Sequence, residues 1–436
     1  MGRTDALRTR YLIVGNSAGG IGAAEAIRQQ DRTGPITILS EEPYPAYSRP
    51  LISEYLSGHR SPREMLLRKP AFYIENGIDC LLGRKAVRLD VEDRSLELAD
   101  GTSIGWERLL LATGGRPIIP KVKGIDRKGV FTFTTLDDAK AMRAQVPPGS
   151  TVVVIGGGLI GVSVSQALTR RGNSVVLVEL MDRVLSAALD KRASRLVEKR
   201  LRDAGIVVIT GHAVEEIVGT NGNDGRVAAV ILNDGRRIEC RAVVAAIGVL
   251  PRTELVAGNG VRLNRGIVVD RHMATSCPDV YACGDAAEAY DFLRGEDRLT
   301  PIWPNAYMGG RIAGYNMAGL RVTYDGTTNM NSFNYFHLAV VSAGIVDPPS
   351  GSPCRVIQTP PTKSGPYRRV VLQDNRVVGM VFVGDIQSSG IVLGLMKEWV
   401  DVRGFQRALV SDGLSLASLP AGLRRTLLAR PAPATV

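Results

Sequence analysis

The chain has 436 residues, enough for about three domains at the usual 100–200 residues each. Hydrophobic and charged fractions of 44% and 22% are those of globular proteins and exclude a disordered, collagenous or coiled-coil chain, and no apolar run reaches the roughly 18 residues of a membrane span. Lys plus Arg number 54 and Asp plus Glu 43, a net charge of +11 that points to a nucleic-acid or acidic-protein partner, or simply to a solvated surface.

Residues 1–10 lead into an apolar strand without a signal-like core or cleavage site, so the expected location is the cytoplasm, with no membrane partner. Residues 11–22 read as a buried parallel strand, a glycine turn and an opening helix, followed by a second strand at 36–39. Residues 95–113 read as a β meander ending in the strand 108–113. The strand–turn–helix pattern recurs at 151–161, with its second strand at 174–178 and a second meander-like passage over 227–247. Residues 279–285 form another strand with a glycine turn before a helix at 304–317. Strands at 368–372 and 377–383 then precede an amphipathic helix at 389–400, and the Pro/Ala-rich tail 430–436 reads as disordered. Two βαβ units of one kind predict an α/β protein with two Rossmann-like dinucleotide-binding domains and a smaller α+β C-terminal domain.

In the second unit Gly156, Gly158 and Gly161 have the full G-x-G-x-x-G spacing. The first glycine makes the tight turn, the second lets backbone approach a pyrophosphate, and the third lets helix and strand pack closely. Leu159 and Ile160 open the helix whose N–H groups and dipole would hold the anion. Glu179 ends the next strand, where a carboxylate binds both ribose hydroxyls and repels a 2′-phosphate; this favours NAD(H), with nearby Arg183 as the opposing sign. In the first unit Gly15 and Gly20 fit, Ser17 replaces the middle glycine and Ala18 opens the helix. Glu41 or Glu42 is the matching ribose ligand, unless the two are a solvated turn.

The ordered set of the Gly15 cluster, Ala112-Thr113-Gly114, the Gly156 cluster, Ala246-Ile247-Gly248 and the Thr275–Asp285 motif resembles the pyridine nucleotide–disulfide oxidoreductase superfamily over nearly the whole chain. The resemblance implies FAD on the first unit and NAD(H) on the second. It implies a discontinuous FAD domain at 1–119 and 247–325, an NAD domain at 120–246 and an interface domain at 326–436. It places Gly284 and Asp285 on FAD, the alternative for Asp285 being a helix cap, and Gly248 on NAD. The five cysteines begin at Cys80 and include no Cys-x-x-Cys, so thiol chemistry, disulfides and a metal or iron–sulfur ligand set are not expected.

Residues 45–53 resemble the Pro-Tyr-x-Arg-Pro-x-x-Ser segment of ferredoxin and rubredoxin reductases, which implies that Arg49 and Pro50 lie against the flavin. Those relatives pair a lysine and a glutamate beside flavin N5; here the positions are Glu54 and Ser163, so an unpaired Glu54 near N5 would lower the flavin potential, the alternative being that Glu54 turns outward to solvent. Residues 302–305 resemble the opening of the last FAD-contacting helix, with Trp303 either covering the ring or in the core. No catalytic side chain is implied, because the cofactors carry hydride chemistry.

Without redox cysteines the electrons must pass to oxygen, a quinone or a one-electron carrier. Over residues 183–202 seven basic side chains face two acidic ones, which suggests a docking face for an acidic iron–sulfur protein, or one solvated helix. The first-unit opening and residues 44–56 most resemble the FAD/NAD subunits of anaerobic phenylglyoxylate dehydrogenase and tungsten aldehyde oxidoreductase complexes. The resemblance implies NAD(H):electron-carrier oxidoreduction within a complex that oxidises an aldehyde or 2-oxoacid, assembled through the C-terminal domain. A stand-alone NADH oxidase or ferredoxin/rubredoxin reductase is the alternative; a nucleic-acid-binding flavoprotein rests on charge alone.

Overall fold

The computed structural model describes residues 7–220, 225–360 and 365–429, so the tail expected to be disordered lies outside the described residues. The first sheet is built on the strand Leu7–Val14, which pairs in parallel with Ile36–Ser40 and with Ser103–Leu111. Tyr11, Leu12, Ile13 and Val14 are all buried, as a parallel strand covered on both faces requires. Val280–Ala282 joins this sheet beside Ser103–Leu111, although the second Rossmann-like sheet lies between them in sequence.

The helix Ala18–Gln30 packs on Trp303–Met317 so closely that a Cβ on Gly310 would lie 2.0 Å from the Gly19 carbonyl oxygen, and one on Gly314 would lie 2.4 Å from that of Ala23. The Gly-x-x-x-Gly pair therefore sets the spacing of the two helices.

The second sheet runs in the order 207–210, 174–179, 151–155, 242–245 and 130–131, all parallel. The two chain crossings between the sheets lie side by side, Gly115–Pro117 antiparallel to Val249–Pro251. The C-terminal unit is a five-stranded antiparallel sheet covered by the helix Ser389–Lys397. That helix stops three residues before the predicted end. Trp399 adopts φ 49°, its N–H bonds the Met396 carbonyl and that of Val400 bonds the Leu395 carbonyl, a Schellman-type stop without glycine.

One apolar cluster joins all three units: Tyr47, Ile52 and Leu56 meet Val162 and Val164 of the second unit and Tyr335 and Val381 of the C-terminal sheet. Among the described residues no helix is long and apolar enough to cross a membrane.

Candidate functional site

In the first unit Gly15 has φ 126°, and a Cβ there would lie 2.1 Å from the Ala112 carbonyl oxygen. A Cβ on Gly20 would lie 1.9 Å from the Gly15 carbonyl oxygen. The helix Ala18–Gln30 thus sits directly on the turn, and Ser17 at its N-cap makes no side-chain capping bond. Gly114 has φ 71°, and the Thr113 hydroxyl donates to the Arg252 carbonyl at 2.8 Å.

The adjacent glutamates have different surroundings. Glu41 accepts from Arg252 at 2.7 Å with Lys85 at 3.6 Å, and these cations hold its carboxyl below the usual range. Glu42 is turned inward, accepting from the Tyr47 hydroxyl at 2.6 Å and from Arg49. Arg49 also donates to the Thr134 carbonyl at 3.0 Å. Asp285 lies in the turn Gly284–Ala286 and makes no hydrogen bond or ion pair within the described residues; burial raises its carboxyl pKa, opposed by Arg49. It caps no helix, since that turn's N-cap is Cys283 and the next helix begins at Trp303. Trp303 stacks on Tyr307 at 5.7 Å, and its indole N–H is buried with no partner. A cradle closed to any Cβ, a desolvated carboxylate and an orphaned indole N–H together fit a large polar cofactor in this crevice.

The second unit repeats the construction. Gly156 has φ 107° with its Cβ position 2.5 Å from the Ala246 carbonyl oxygen, and that of Gly161 lies 1.8 Å from the Gly156 carbonyl oxygen. Nothing lies within 4 Å of the Cβ position of Gly158, which leaves the first turn at Leu159 and Ile160 open to a ligand. Glu179 accepts from the Gly157 N–H at 2.5 Å and from that of Met181 at 2.7 Å, so its carboxylate is held at the glycine turn. Arg183 points elsewhere, to Asp182 at 2.9 Å and Asp347 at 3.2 Å. Gly248 has φ 124° beside the Ile118 side chain.

Two expectations need correction. Glu54 is not unpaired: it lies 3.3 Å from Arg170 and 3.9 Å from His59 Nδ1, because its helix Ile52–Leu56 packs against the end of Leu159–Arg170. Ser163 instead meets the C-terminal unit, its hydroxyl 3.2 Å from that of Tyr335, which also donates to the Leu159 carbonyl at 3.2 Å. The basic run at 183–202 is also largely neutralised. Asp182, Glu198, Asp203 and Asp347 pair with Lys191, Arg202, Lys199 and Arg183, while Arg192 donates to the Thr359 and Pro360 carbonyls. The side chains of Arg195 and Arg200 alone make no such contact among the described residues.

Arg252, Lys85, Arg170 and Tyr335 were not singled out as partners of these positions, since each arrives from a distant stretch of chain; only the Gly310/Gly314 spacing carried a readable signal.

The family model described as pyridine nucleotide-disulphide oxidoreductase matches residues 9–310, more than half of the chain. The chain belongs to this family. A model of the rubredoxin NAD+ reductase C-terminal domain matches residues 330–399. The NADH-dependent phenylglyoxylate dehydrogenase subunit epsilon of Aromatoleum evansii is 31% identical over 94% of this chain and 96% of its own length. The biphenyl dioxygenase system ferredoxin–NAD(+) reductase component of Paraburkholderia xenovorans is 33% identical over 69% of this chain and 72% of its own. The covalent putidaredoxin reductase–putidaredoxin complex contains a chain superposing with TM-score 0.83 at 26% identity, covering 90% of this chain and 94% of that one. As a family member, the chain is an FAD- and NAD(H)-dependent oxidoreductase.

Proposed function

We propose that this chain passes electrons between NAD(H) and an iron–sulfur carrier, as the FAD/NAD subunit of a complex oxidising an aldehyde or 2-oxoacid in the cytoplasm. The observation that carries the reading is the nearly end-to-end match to the phenylglyoxylate dehydrogenase subunit, on a chain without a redox cysteine pair. During substrate oxidation the balance is NAD+, a proton and two reduced carriers giving NADH and two oxidised carriers, and an assay from NADH runs it in reverse.

In this reading Gly15, Ser17, Ala18 and Gly20 hold the FAD pyrophosphate, and Ala112, Thr113 and Gly114 border it. Glu41 takes the ribose, because its side chain is 47% exposed whereas that of Glu42 is 19% exposed and held inward by Tyr47 and Arg49. Arg49, Pro50, Gly284, Asp285 and Trp303 face the rest of the cofactor. Gly156, Gly158, Leu159, Ile160, Gly161, Glu179 and Gly248 hold NAD(H), and the domain limits are those given by the resemblance. Bound FAD and nicotinamide supply the hydride and one-electron chemistry; the protein supplies positioning. The C-terminal sheet forms the interface to the complex.

Anaerobic NADH oxidation with benzyl viologen or a ferredoxin, together with co-purification of an iron–sulfur protein, is the expected result. Fast turnover with oxygen and peroxide release would overturn the reading in favour of an oxidase. Full ferredoxin turnover by a chain that purifies alone would favour a stand-alone reductase, a reading that the putidaredoxin reductase likeness supports.

Asp285 adds a test of sign. Burial raises its pKa in the folded state, so the charged form opposes folding of the flavin-free protein above that pKa and not at low pH. Asp285→Asn is expected to raise the flavin-free melting temperature at pH 7, with the gain vanishing toward pH 4, while FAD affinity falls. A lower melting temperature at pH 7 would show that burial is not the dominant cause.

A further inference from the structure

The helix Ile52–Leu56 lies between two helices of the second unit, Leu136–Gln145 and Leu159–Arg170, whose C-terminal ends converge on it. Arg143 donates to the Tyr55 carbonyl at 3.3 Å and lies over the Tyr55 ring at 5.0 Å. Arg171 donates to the Arg143 carbonyl at 2.7 Å, while Arg170 reaches Glu54. The chain leaving the short helix folds back, the N–H groups of His59 and Arg60 bonding the Glu54 carbonyl at 2.9 and 3.2 Å. Glu54 is thus one carboxylate among several cations.

Arg60, Arg63, Arg143 and Arg171 have no carboxylate within 4.0 Å among the described residues, and the first three are exposed. The nearby Glu64 carboxylate is occupied by the Ser61 N–H and hydroxyl at 2.7 and 2.8 Å. Burial, and after it the charge of Arg143, push the Arg171 pKa down. In the helix at 191–203, by comparison, Lys191, Lys199 and Arg202 pair with carboxylates, and Arg192, Arg195 and Arg200 do not among the described residues.

Position favours an electron carrier over other acidic partners. The cluster follows Arg49 and Pro50 directly, with Glu54 about 8 Å of helix rise beyond Arg49. It stands at the C-terminal end of the Leu159–Arg170 helix, whose N-terminal end faces the nucleotide crevice about 17 Å away. NAD(H) and a carrier therefore have separate approaches.

We propose that Arg60, Arg63 and Arg143 together form a surface that docks an acidic iron–sulfur protein; this rests on the carrier reading above. The test compares the wild-type holoprotein, a triple variant Arg60→Glu, Arg63→Glu, Arg143→Glu, and a control Arg195→Glu, Arg200→Glu. Binding of an acidic [2Fe–2S] ferredoxin is followed by calorimetry across salt concentrations, beside NADH turnover with a neutral benzoquinone and the flavin absorbance. The triple variant should bind about 10-fold or more weakly at low salt with a flattened salt dependence, its quinone turnover and flavin content matching wild type. The control should bind as wild type does. Equal binding by the triple variant, or loss in the control instead, overturns the surface while leaving the carrier reading intact. No ferredoxin binding by wild type at low salt overturns both, and salt-sensitive DNA binding lost in the triple variant assigns the surface to nucleic acid.

Discussion

Gly161→Val is expected to abolish NADH oxidation while leaving FAD bound. A Cβ at this position would lie 1.8 Å from the Gly156 carbonyl oxygen, far inside the 3.0 Å that a real Cβ keeps from other heavy atoms, and its neighbour is backbone rather than a flexible side chain. The helix Leu159–Arg170 must lift off the turn by on the order of 1 Å, carrying its first N–H groups away from the proposed pyrophosphate position. A displacement of that size costs about 100-fold in rate where positioning is the whole of catalysis. Flavin absorbance should be unchanged, because the crevice proposed for FAD is built from the other glycine turn. Gly20→Val is the mirror experiment: its Cβ would lie 1.9 Å from the Gly15 carbonyl oxygen, and the protein should purify without flavin. A Gly161→Val protein that oxidises NADH within a few-fold of wild type would remove the pyrophosphate from this turn.

The second large effect is one of specificity. Glu179→Ala removes the carboxylate assigned to the adenosine ribose, and charge-assisted bonds of this kind are worth about 1.5–3 kcal/mol. The KM for NADH should rise about 10–100-fold, while that for NADPH should fall, since the repulsion of a 2′-phosphate is gone. Arg183 would not rescue NADPH fully, because it is engaged by Asp182 and Asp347. Steady-state KM values for both nucleotides decide the matter; unchanged discrimination would assign the ribose elsewhere. Glu179 also accepts two backbone N–H groups, so a Glu179→Gln variant separates loss of charge from loss of turn geometry.

What could be read without coordinates was local. Within one βαβ unit the strand, turn and helix are joined by a few residues, so the spacing of Gly156, Gly158 and Gly161 already brings the helix backbone too close to the turn's carbonyl oxygen to admit a side chain. The placement of Asp285 after a strand and inside a turn was legible for the same reason. Glu41 and Glu42 were not separable, because adjacent residues share a turn and differ only in which distant cation reaches each.

The sequence by itself determined two Rossmann-like strand–turn–helix units and the absence of a Cys-x-x-Cys pair, all consequences of residue type at short separation. Only the tertiary structure decided that Arg252 takes Glu41, that Arg170 takes Glu54, and that Ser163 meets Tyr335 rather than an acid. It also decided where the +11 charge is expressed. Coulombic neutralisation depends on distance in space, so four cations of the run of seven basic residues pair with Asp182, Glu198, Asp203 and Asp347, while Arg60, Arg63 and Arg143 have no carboxylate within 4.0 Å among the described residues.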